Sequence, residues 1–274
     1  MILQSIYKTI LKRSFFKGQD RIFNFLFKNN RFSKVKVIVK PLIGNFKIEC
    51  DPTTWIGAKI VYTGDYEASL KQVFGSYIAK NDHVLDIGAN IGFHTLYFAE
   101  LVGQSGKVTA FEPILFNYNS LIRNISLNNF LQINPQNIAL SNKNETFQIA
   151  ADATSKNPGS FNLFEKNGDV SVNCKIGDEF LIEEKINFIK IDVEGYEAFV
   201  IAGLMQSIAK NLPYLVFEYD QDYHLKTGLE PNYIFNLLKP LGYQFYLIKR
   251  TEQTTINNLD QLLSGNILAK PPKK

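Results

Sequence analysis

The sequence predicts an α/β protein in which a mostly parallel sheet of seven strands carries helices on both faces. Three observations favour this class. Apolar strand-like runs alternate with helical runs from Glu67 onward, which is typical of parallel sheets. A glycine turn follows the first of these strands, and acidic residues end several later ones. The 274 residues are 45% hydrophobic and 20% charged, so a packed core is expected.

The first 63 residues are predicted to form a small helical and β-strand segment ahead of that sheet. Apolar residues recur at helical spacing over residues 2–11 and 22–27, which predicts two short amphipathic helices. Strand-like patterns follow at 34–40, 45–50 and 55–62. We therefore divide the chain into residues 1–63 and 64–274.

The second part begins with a predicted helix over residues 67–78. The seven strands are predicted at 83–87, 107–111, 136–139, 186–191, 215–217, 243–249 and 266–269. An insertion rich in Asn and Gly, with short β-like pieces, is predicted at 145–176, before the fourth strand.

Charge, cysteine and hydropathy patterns limit where the protein works. Residues 1–40 carry a net charge of +9 and residues 41–269 carry −8. Cys50 and Cys174 stand far apart, which predicts neither a disulfide framework nor a zinc site and fits a reducing compartment. No run reaches the roughly 20 apolar residues that span a bilayer, and lysines interrupt the opening where a signal peptide needs an apolar run. We expect a cytoplasmic protein.

The sharpest motif is residues 84–95, which predict a strand, a glycine turn and a helix start. Gly88 and Gly92 allow a tight turn close to a ligand, and the helix start offers free N–H groups. A dinucleotide enzyme would show G-x-G-x-x-G, whereas this turn reads D-x-G-x-N-x-G from Asp86. An acidic residue before the turn suits a ligand with an ammonium group, such as the methionyl part of S-adenosylmethionine.

A carboxylate, Glu112, ends the next strand, 26 residues after Asp86. A carboxylate in this position can accept hydrogen bonds from both hydroxyls of a ribose, and it would repel a 2′-phosphate. The alternative, an acid that merely ends a strand, is weakened by the glycine turn in the same α/β unit.

Residues 189–197 place two more acids, Asp192 and Glu194, at the end of the fourth parallel strand. Ligands of open α/β sheets bind outside the carboxyl ends of the strands, so both should face the glycine turn. Lys190 lies inside an apolar strand and should pair with one of these acids, because an unpaired buried ammonium is costly. Glu218 ends the next strand. The alternative is an ion pair that only orders the sheet.

Metal and histidine chemistry receive weaker support. Three acids at strand ends raise the question of a divalent cation, but no alternating Asp/Asn ligand loop is present, so we predict no metal site. His224, which follows the fifth strand, is the best histidine for a general base, whereas His83 and His94 are expected to pack. Residues 211–214 look like the N-x-P-[YF] box of nucleic-acid amino-methyltransferases, but they precede the fifth strand and are predicted as a turn.

From residue 66 to residue 269 the chain resembles FkbM-type methyltransferases, a branch of the class I S-adenosylmethionine-dependent enzymes. The resemblance is carried by residues 64–67, by 84–95, by 190–197 with Gly203, and by 266–269. The run Lys-Ile-Asp-Val-Glu-Gly-Tyr-Glu at 190–197 is its most specific part. It implies a Rossmann-like seven-stranded sheet, S-adenosylmethionine as the methyl donor, and O-methylation of a hydroxyl on a sugar, glycan or secondary metabolite.

The resemblance also implies that Asn137 and Ala139 lie beside the adenine and that Glu67 closes over the cofactor. The predicted cofactor-binding residues are Glu67, Asp86, Gly88, Ala89, Asn90, Gly92, Glu112, Pro113, Asn137 and Ala139. Asp192, Glu194 and His224 are the predicted catalytic residues. Two other functions stay open: a catalytically inactive binding module of this fold, and an NAD-linked oxidoreductase.

The basic opening of the chain has three interpretations. Its helices pack on the acidic body as a lid or dimer element, rest on the inner face of an anionic membrane through residues 1–30, or meet an acidic acceptor. An aromatic face built from Phe15, Phe16, Phe23, Phe25 and Phe27 suits an interfacial helix and a docked helix equally. We expect a small-molecule or glycan acceptor as partner, not a nucleic acid, and leave a homodimer open.

Overall fold

The structure, a computed structural model, describes residues 2–12, 16, 18–150, 152, 156, 168–249, 252–257 and 262–273. Its helices are α1 (Ile2–Leu11), α2 (Gln19–Lys28), α3 (Trp55–Ala58) with a π-helix (Lys59–Thr63), α4 (Ala68–Tyr77), α5 (Phe93–Val102), α6 (Leu115–Ser126), α7 (Asp178–Leu181), α8 (Glu197–Gly203), α9 (Met205–Asn211), α10 (Gln221–Lys226) and α11 (Tyr233–Leu238) with a 3₁₀ turn (Lys239–Leu241).

Its strands are β1 (Val37–Val39), β2 (Ile48–Cys50), β3 (His83–Ile87), β4 (Lys107–Phe111), β5 (Ile133–Gln136), β6 (Ala139–Ser141), β7 (Glu145–Ile149), β8 (Val170–Ile176), β9 (Phe188–Ile191), β10 (Tyr214–Asp220), β11 (Gln244–Lys249), β12 (Glu252–Thr255) and β13 (Ser264–Lys270).

One large sheet dominates, in the order β12-β11-β13-β10-β9-β3-β4-β5. The five strands from β10 to β5 are mutually parallel, and β13 runs antiparallel between β10 and β11. This arrangement confirms the predicted α/β class with a mostly parallel sheet. All seven predicted strands have counterparts, and β12 adds an eighth at the edge.

The third predicted strand was misplaced. It lies at Ile133–Gln136 rather than at 136–139, and Ala139 instead begins β6 of a smaller sheet, β6-β8-β7. Pro135 argues against a strand in the sequence, yet β5 is an edge strand, where a residue without an N–H is tolerated. In the predicted insertion, β7 and β8 form an antiparallel pair. Residues 151, 153–155 and 157–167 lie outside the described residues.

The strand predicted at 55–62 was also wrong, because this segment is helical. Thr54 caps α3 by accepting a hydrogen bond from the Gly57 N–H, and the backbone continues into the π-helix. Ile60, Val61 and Tyr62 are all buried. A short run of apolar residues buried on every side gives no period that separates a strand from a helix.

The two predicted N-terminal helices are present, and they share a core with the sheet. Leu11 and Phe23 belong to the same buried cluster as Val84 of β3 and Phe188 of β9. The ring of Phe23 meets that of Trp55 edge to face, with centroids 5.1 Å apart. Hydrophobic contact therefore continues across the proposed boundary at residue 63.

The predicted aromatic face is divided between buried and exposed side chains. Phe23 and Phe27 are buried, whereas Phe16 and Phe25 are exposed, and Phe15 lies outside the described residues. Packing on the body thus accounts for only part of this face. Within the described ranges, no helix has the length and apolar character required to cross a membrane.

The order of the large sheet fixes where a ligand can bind. From β3 the chain moves outward to β4 and β5 on one side, and β9 and β10 lie on the other. The topological switch point therefore falls between β3 and β9. Loops that leave the carboxyl ends of these strands diverge there and open a crevice.

Candidate functional site

A cavity of about 270 Å³ lies at this switch point. Loops after β3, β4 and β9 form its wall together with Glu218 of β10, and the segment between α3 and α4 contributes further residues. The wall mixes apolar side chains with convergent carboxylates, which is the character of ligand sites in α/β proteins. This location is the one that the sequence motifs predict.

The glycine turn after β3 packs against the loop after β9. Gly88 has φ +81°, and a Cβ placed on it would lie 1.9 Å from the carbonyl oxygen of Asp192, so no larger residue fits. The N–H groups of Gly88 and Ala89 both donate to the carbonyl of Phe111, at 3.0 and 2.9 Å. The turn is thereby fixed against both neighbouring strands.

Glu112 stands in the cavity wall with both carboxylate oxygens hydrogen-bonded. One accepts from the Asn90 N–H at 2.8 Å and the other from the Ile114 N–H at 2.9 Å. Burial raises the pKa of Glu112 to about 7, although these hydrogen bonds act in the opposite direction. Asn137 supports the loop from behind, donating to the carbonyls of Glu112 and Pro113 at 2.8 and 3.0 Å.

Lys190 pairs with acids, as predicted. Its ammonium lies 3.4 Å from carboxylate oxygens of both Asp86 and Asp192, and it donates to the carbonyl of Gly88 at 3.0 Å. Burial alone would lower the pKa of Lys190, but Asp192 and Asp86 raise it above its ordinary value. Asp86 is fully buried, and its second oxygen accepts from the Thr95 hydroxyl at 2.6 Å.

The loop after β9 is held by a buried acid behind it. Glu197 accepts hydrogen bonds from the N–H groups of Val193 and Gly195, at 3.0 and 3.3 Å. Burial raises the pKa of Glu197 to about 8. These bonds position Asp192 and Glu194, both of which line the cavity.

Glu218, within β10, adds a third carboxylate to the wall. Burial raises its pKa to about 7, and the charges of Asp192, Glu194 and Glu67 act in the same direction. A side chain in this environment exchanges its proton near neutral pH, which suits acid–base chemistry.

The segment before α4 closes the remaining side of the cavity. Glu67 lies 2.9 Å from Nε2 of His94, and both residues line the wall with Tyr66. Burial raises the pKa of the Tyr66 hydroxyl well above its ordinary value, and the charges of Glu67 and Asp192 add to the effect. Trp55 and Ile56 of α3 extend this side toward the N-terminal helices.

The structure brings nine of the predicted residues together in the cavity wall. They are Glu67, Gly88, Ala89, Asn90, Glu112, Pro113, Ala139, Asp192 and Glu194. Three predicted cofactor-binding residues lie behind the wall instead. Asp86 is beneath the glycine turn, Asn137 supports Glu112, and Gly92 begins α5, packed against Leu121.

His224 is not brought to the cavity, so its predicted role as a base is corrected. It is buried in α10, with Nδ1 3.3 Å from the carbonyl oxygen of Glu230 and its ring 5.1 Å from that of Tyr219. Burial lowers its pKa. The short helix α10 turns this side chain into the core.

Several wall residues were not assigned from the sequence. Tyr66 lies in the run 64–67, Tyr196 lies in the run 190–197, and Glu218 follows a predicted strand, so each carried a usable signal. Trp55, Ile56, Ile138, Leu140 and Ile149 carried none, because only tertiary packing places them. In the part of the chain that the structure describes, no group of three or more His, Cys, Asp and Glu residues is arranged to hold a metal ion.

The N-x-P-[YF]-like run at 211–214 is a turn, as predicted. Leu212 has φ +49° and ends α9, and the Asn211 amide donates to the carbonyls of Ser207 and Glu184 at 3.0 and 3.1 Å. The Asn211 amide is thus occupied by hydrogen bonds that hold the turn before β10.

Comparison with known proteins agrees with this picture. The Methyltransferase FkbM domain matches residues 86–245, more than half of the chain. Methyltransferase 1 of Beauveria bassiana is 28% identical over 144 residues, covering 44% of this chain and 57% of that protein. The chain thus spans little more than half the length of this relative.

A second relative is the hexuronic acid methyltransferase AglP of Haloferax volcanii, 29% identical over 197 residues, which cover 68% of this chain and 72% of that one. Among solved structures, a methyltransferase FkbM from Methylobacillus flagellatus aligns with 93% of this chain and 71% of its own, at 14% identity and a TM-score of 0.45. The family match confirms the resemblance seen in the motifs, and the chain belongs to the FkbM methyltransferase family.

Proposed function

We propose that this protein transfers a methyl group from S-adenosylmethionine to a hydroxyl oxygen of a sugar, glycan or secondary metabolite. The observation that carries the proposal is that Asp192 and Glu194 line the same cavity as the glycine turn and Glu112. The glycine turn and Glu112 suit the donor, and Asp192 and Glu194 are carboxylates that can take a hydroxyl proton.

The residues present fit the donor. Gly88 leaves a cradle that a Cβ would fill, and Glu112 presents a carboxylate at the place where a ribose would lie. Ala139, Ile138 and Leu140 add small and apolar surface suited to an adenine ring. An acidic wall also favours a ligand with positive charge.

When bound, S-adenosylmethionine supplies a methyl group already activated by a sulfonium centre. The protein's remaining tasks are to orient the acceptor, to exclude water and to remove a proton. The apolar wall residues Trp55, Ile56 and Val193 contribute to exclusion of water.

Asp192 and Glu194 are the proposed proton acceptors. An alcohol must lose its proton as the new C–O bond forms, and a carboxylate within hydrogen-bond reach can take it. Lys190 lies 3.4 Å from one oxygen of Asp192, which holds the side chain in place. Glu218 provides a third carboxylate in the cavity wall.

A sugar as acceptor is supported by the relative named as a hexuronic acid methyltransferase. That similarity supports the class of hydroxyl compound, not the uronic acid itself. The glycine pattern disfavours the NAD-linked alternative, because the third glycine of G-x-G-x-x-G is missing.

The test is incubation of the purified protein with methyl-labelled S-adenosylmethionine and a metabolite and glycan extract of the host. We expect label in a product whose methyl group resists mild base, as an ether does. Label found only in amines or in base-labile esters would contradict O-methylation of a hydroxyl. Absence of label with every fraction would favour an inactive binding module.

A further inference from the structure

The cavity wall carries far more negative than positive charge. It includes the carboxylates of Glu67, Glu112, Asp192, Glu194 and Glu218. Among the described residues of the wall, Lys190 is the sole lysine or arginine. We propose that the acceptor carries no negative charge, being neutral or amine-bearing, and that uronates and phosphorylated sugars are excluded. This inference rests on the proposed function and specifies its substrate class.

Lys190 is already committed and cannot receive an anionic acceptor. The ammonium donates a hydrogen bond to the carbonyl of Gly88 at 3.0 Å and forms ion pairs with Asp86 and Asp192, at 3.4 Å each. Its side chain is only 5% exposed. An acceptor anion would have to displace one of these partners.

His94 does not offer a free cation either. Its Nε2 faces a carboxylate oxygen of Glu67 at 2.9 Å, and its side chain is 6% exposed. Any positive charge on the ring is therefore matched by an acid in the same wall.

The carboxylates are not spread evenly over the cavity. Glu112 follows β4, on the side of the sheet where the donor is proposed to lie. Asp192 and Glu194 follow β9, and Glu218 lies within β10. Glu67, which precedes α4, is assigned to the cofactor, so three of the five acids, on the β9 and β10 side of the sheet, remain for the acceptor.

Glu67 and these three acids act on the same groups. The charges of Asp192, Glu194 and Glu67 all contribute to the raised pKa of Glu218, after burial. The same acids, with Glu218, contribute to the raised pKa of Tyr66, again after burial. Because the wall is partly shielded from water, an additional negative charge would be repelled far more strongly than in solution.

A binding experiment tests the inference without knowledge of the acceptor. The probes are S-adenosylhomocysteine and the S-adenosylmethionine analogue in which a carbon bearing a primary amine replaces the methylated sulfur. The amine takes the position of the transferred methyl group and so reports the charge that an acceptor meets. We expect the amine analogue to bind the full chain about tenfold more tightly or better by calorimetry.

Two variants and a matched control make the result specific. Glu218→Gln and Glu194→Gln should each reduce that preference to about threefold or less. Glu183→Gln should leave it unchanged, because this carboxylate is 87% exposed, pairs with Lys210 and does not line the cavity. Equal affinity of both probes for the wild-type chain, or a preference that survives in both variants, would overturn the inference.

The labelled product of the extract experiment provides a second readout. A product that passes through an anion exchanger supports the inference, and a product retained there as a uronate or phosphate ester overturns it. Failure of both nucleosides to bind would instead refute the proposed function, and with it this inference.

Discussion

The ammonium of Lys190 donates a hydrogen bond to the carbonyl oxygen of Gly88 at 3.0 Å and so joins strand β9 to the glycine turn after β3. The same ammonium lies 3.4 Å from Asp86, which is fully buried beneath that turn. One buried cation therefore holds together the two halves of the sheet where the cavity opens.

Removal of this cation should destabilise the fold. Lys190→Ala would leave the buried carboxylate of Asp86 without its ion pair, and breaking a buried pair costs about 3–5 kcal/mol. Urea unfolding measures the loss. The control is Lys210→Ala, whose ammonium is 47% exposed and whose pair with Glu183 should contribute below about 1 kcal/mol. Equal losses of unfolding free energy for the two substitutions would show that Lys190 does not hold the two halves of the sheet together.

Asp192→Asn separates catalysis from donor binding. We expect donor affinity to stay within a few-fold, while turnover falls by roughly 10² to 10⁴, as for loss of a general base. Asp86 remains beside Lys190 in this variant, so the turn keeps its shape. An equal loss of donor binding would place Asp192 in the donor site instead, and no change in either property would make it purely structural.

The pH dependence of the reaction should follow the carboxylates of the wall. Burial and neighbouring acids raise the pKa of Glu218 to about 7, so this group is protonated below that pH and ionised above it. Proton removal and attraction of a cationic donor both need the ionised form, so kcat/KM should rise as the pH increases through about 7. Glu218→Gln should remove part of this rise, leaving the part due to Glu112. A profile identical in the wild type and Glu218→Gln would contradict the assignment.

Two aromatic residues of helix α2, one buried and one exposed, test whether the N-terminal segment depends on packing against the rest of the protein. Phe23 is fully buried against Trp55, whereas Phe25 is 65% exposed. Phe23→Ala should cost about 3–5 kcal/mol of unfolding free energy, and Phe25→Ala should stay within about 0.5 kcal/mol. Thermal or urea unfolding measures both. A small effect of Phe23→Ala would show that the segment does not depend on packing against the body.

The parts of the site that could be predicted are those set by strand direction. Gly88, Glu112 and Asp192 each follow the carboxyl end of a parallel strand, and such ends meet at one edge of the sheet. The sequence alone cannot tell which way a side chain leaves the strand or helix that carries it. Asp86 and His224 were misplaced for this reason, since both point into the core.

Other parts depend on contacts between distant segments. The apolar run 55–62 reads equally as a strand or a helix until its neighbours are known. In the fold Trp55 packs against Phe23 of α2 and lines the cavity wall.

The central claim is tested most directly by calorimetric titration. The wild type and Glu112→Ala are titrated with S-adenosylmethionine, and the wild type is also titrated with NAD. The account predicts micromolar binding of S-adenosylmethionine and none of NAD. Glu112→Ala should bind S-adenosylmethionine more weakly by about 1.5–3 kcal/mol, tenfold or more, because a charge-assisted contact to the ribose is lost. Binding of NAD alone, or an affinity for S-adenosylmethionine that Glu112→Ala leaves unchanged, would contradict it.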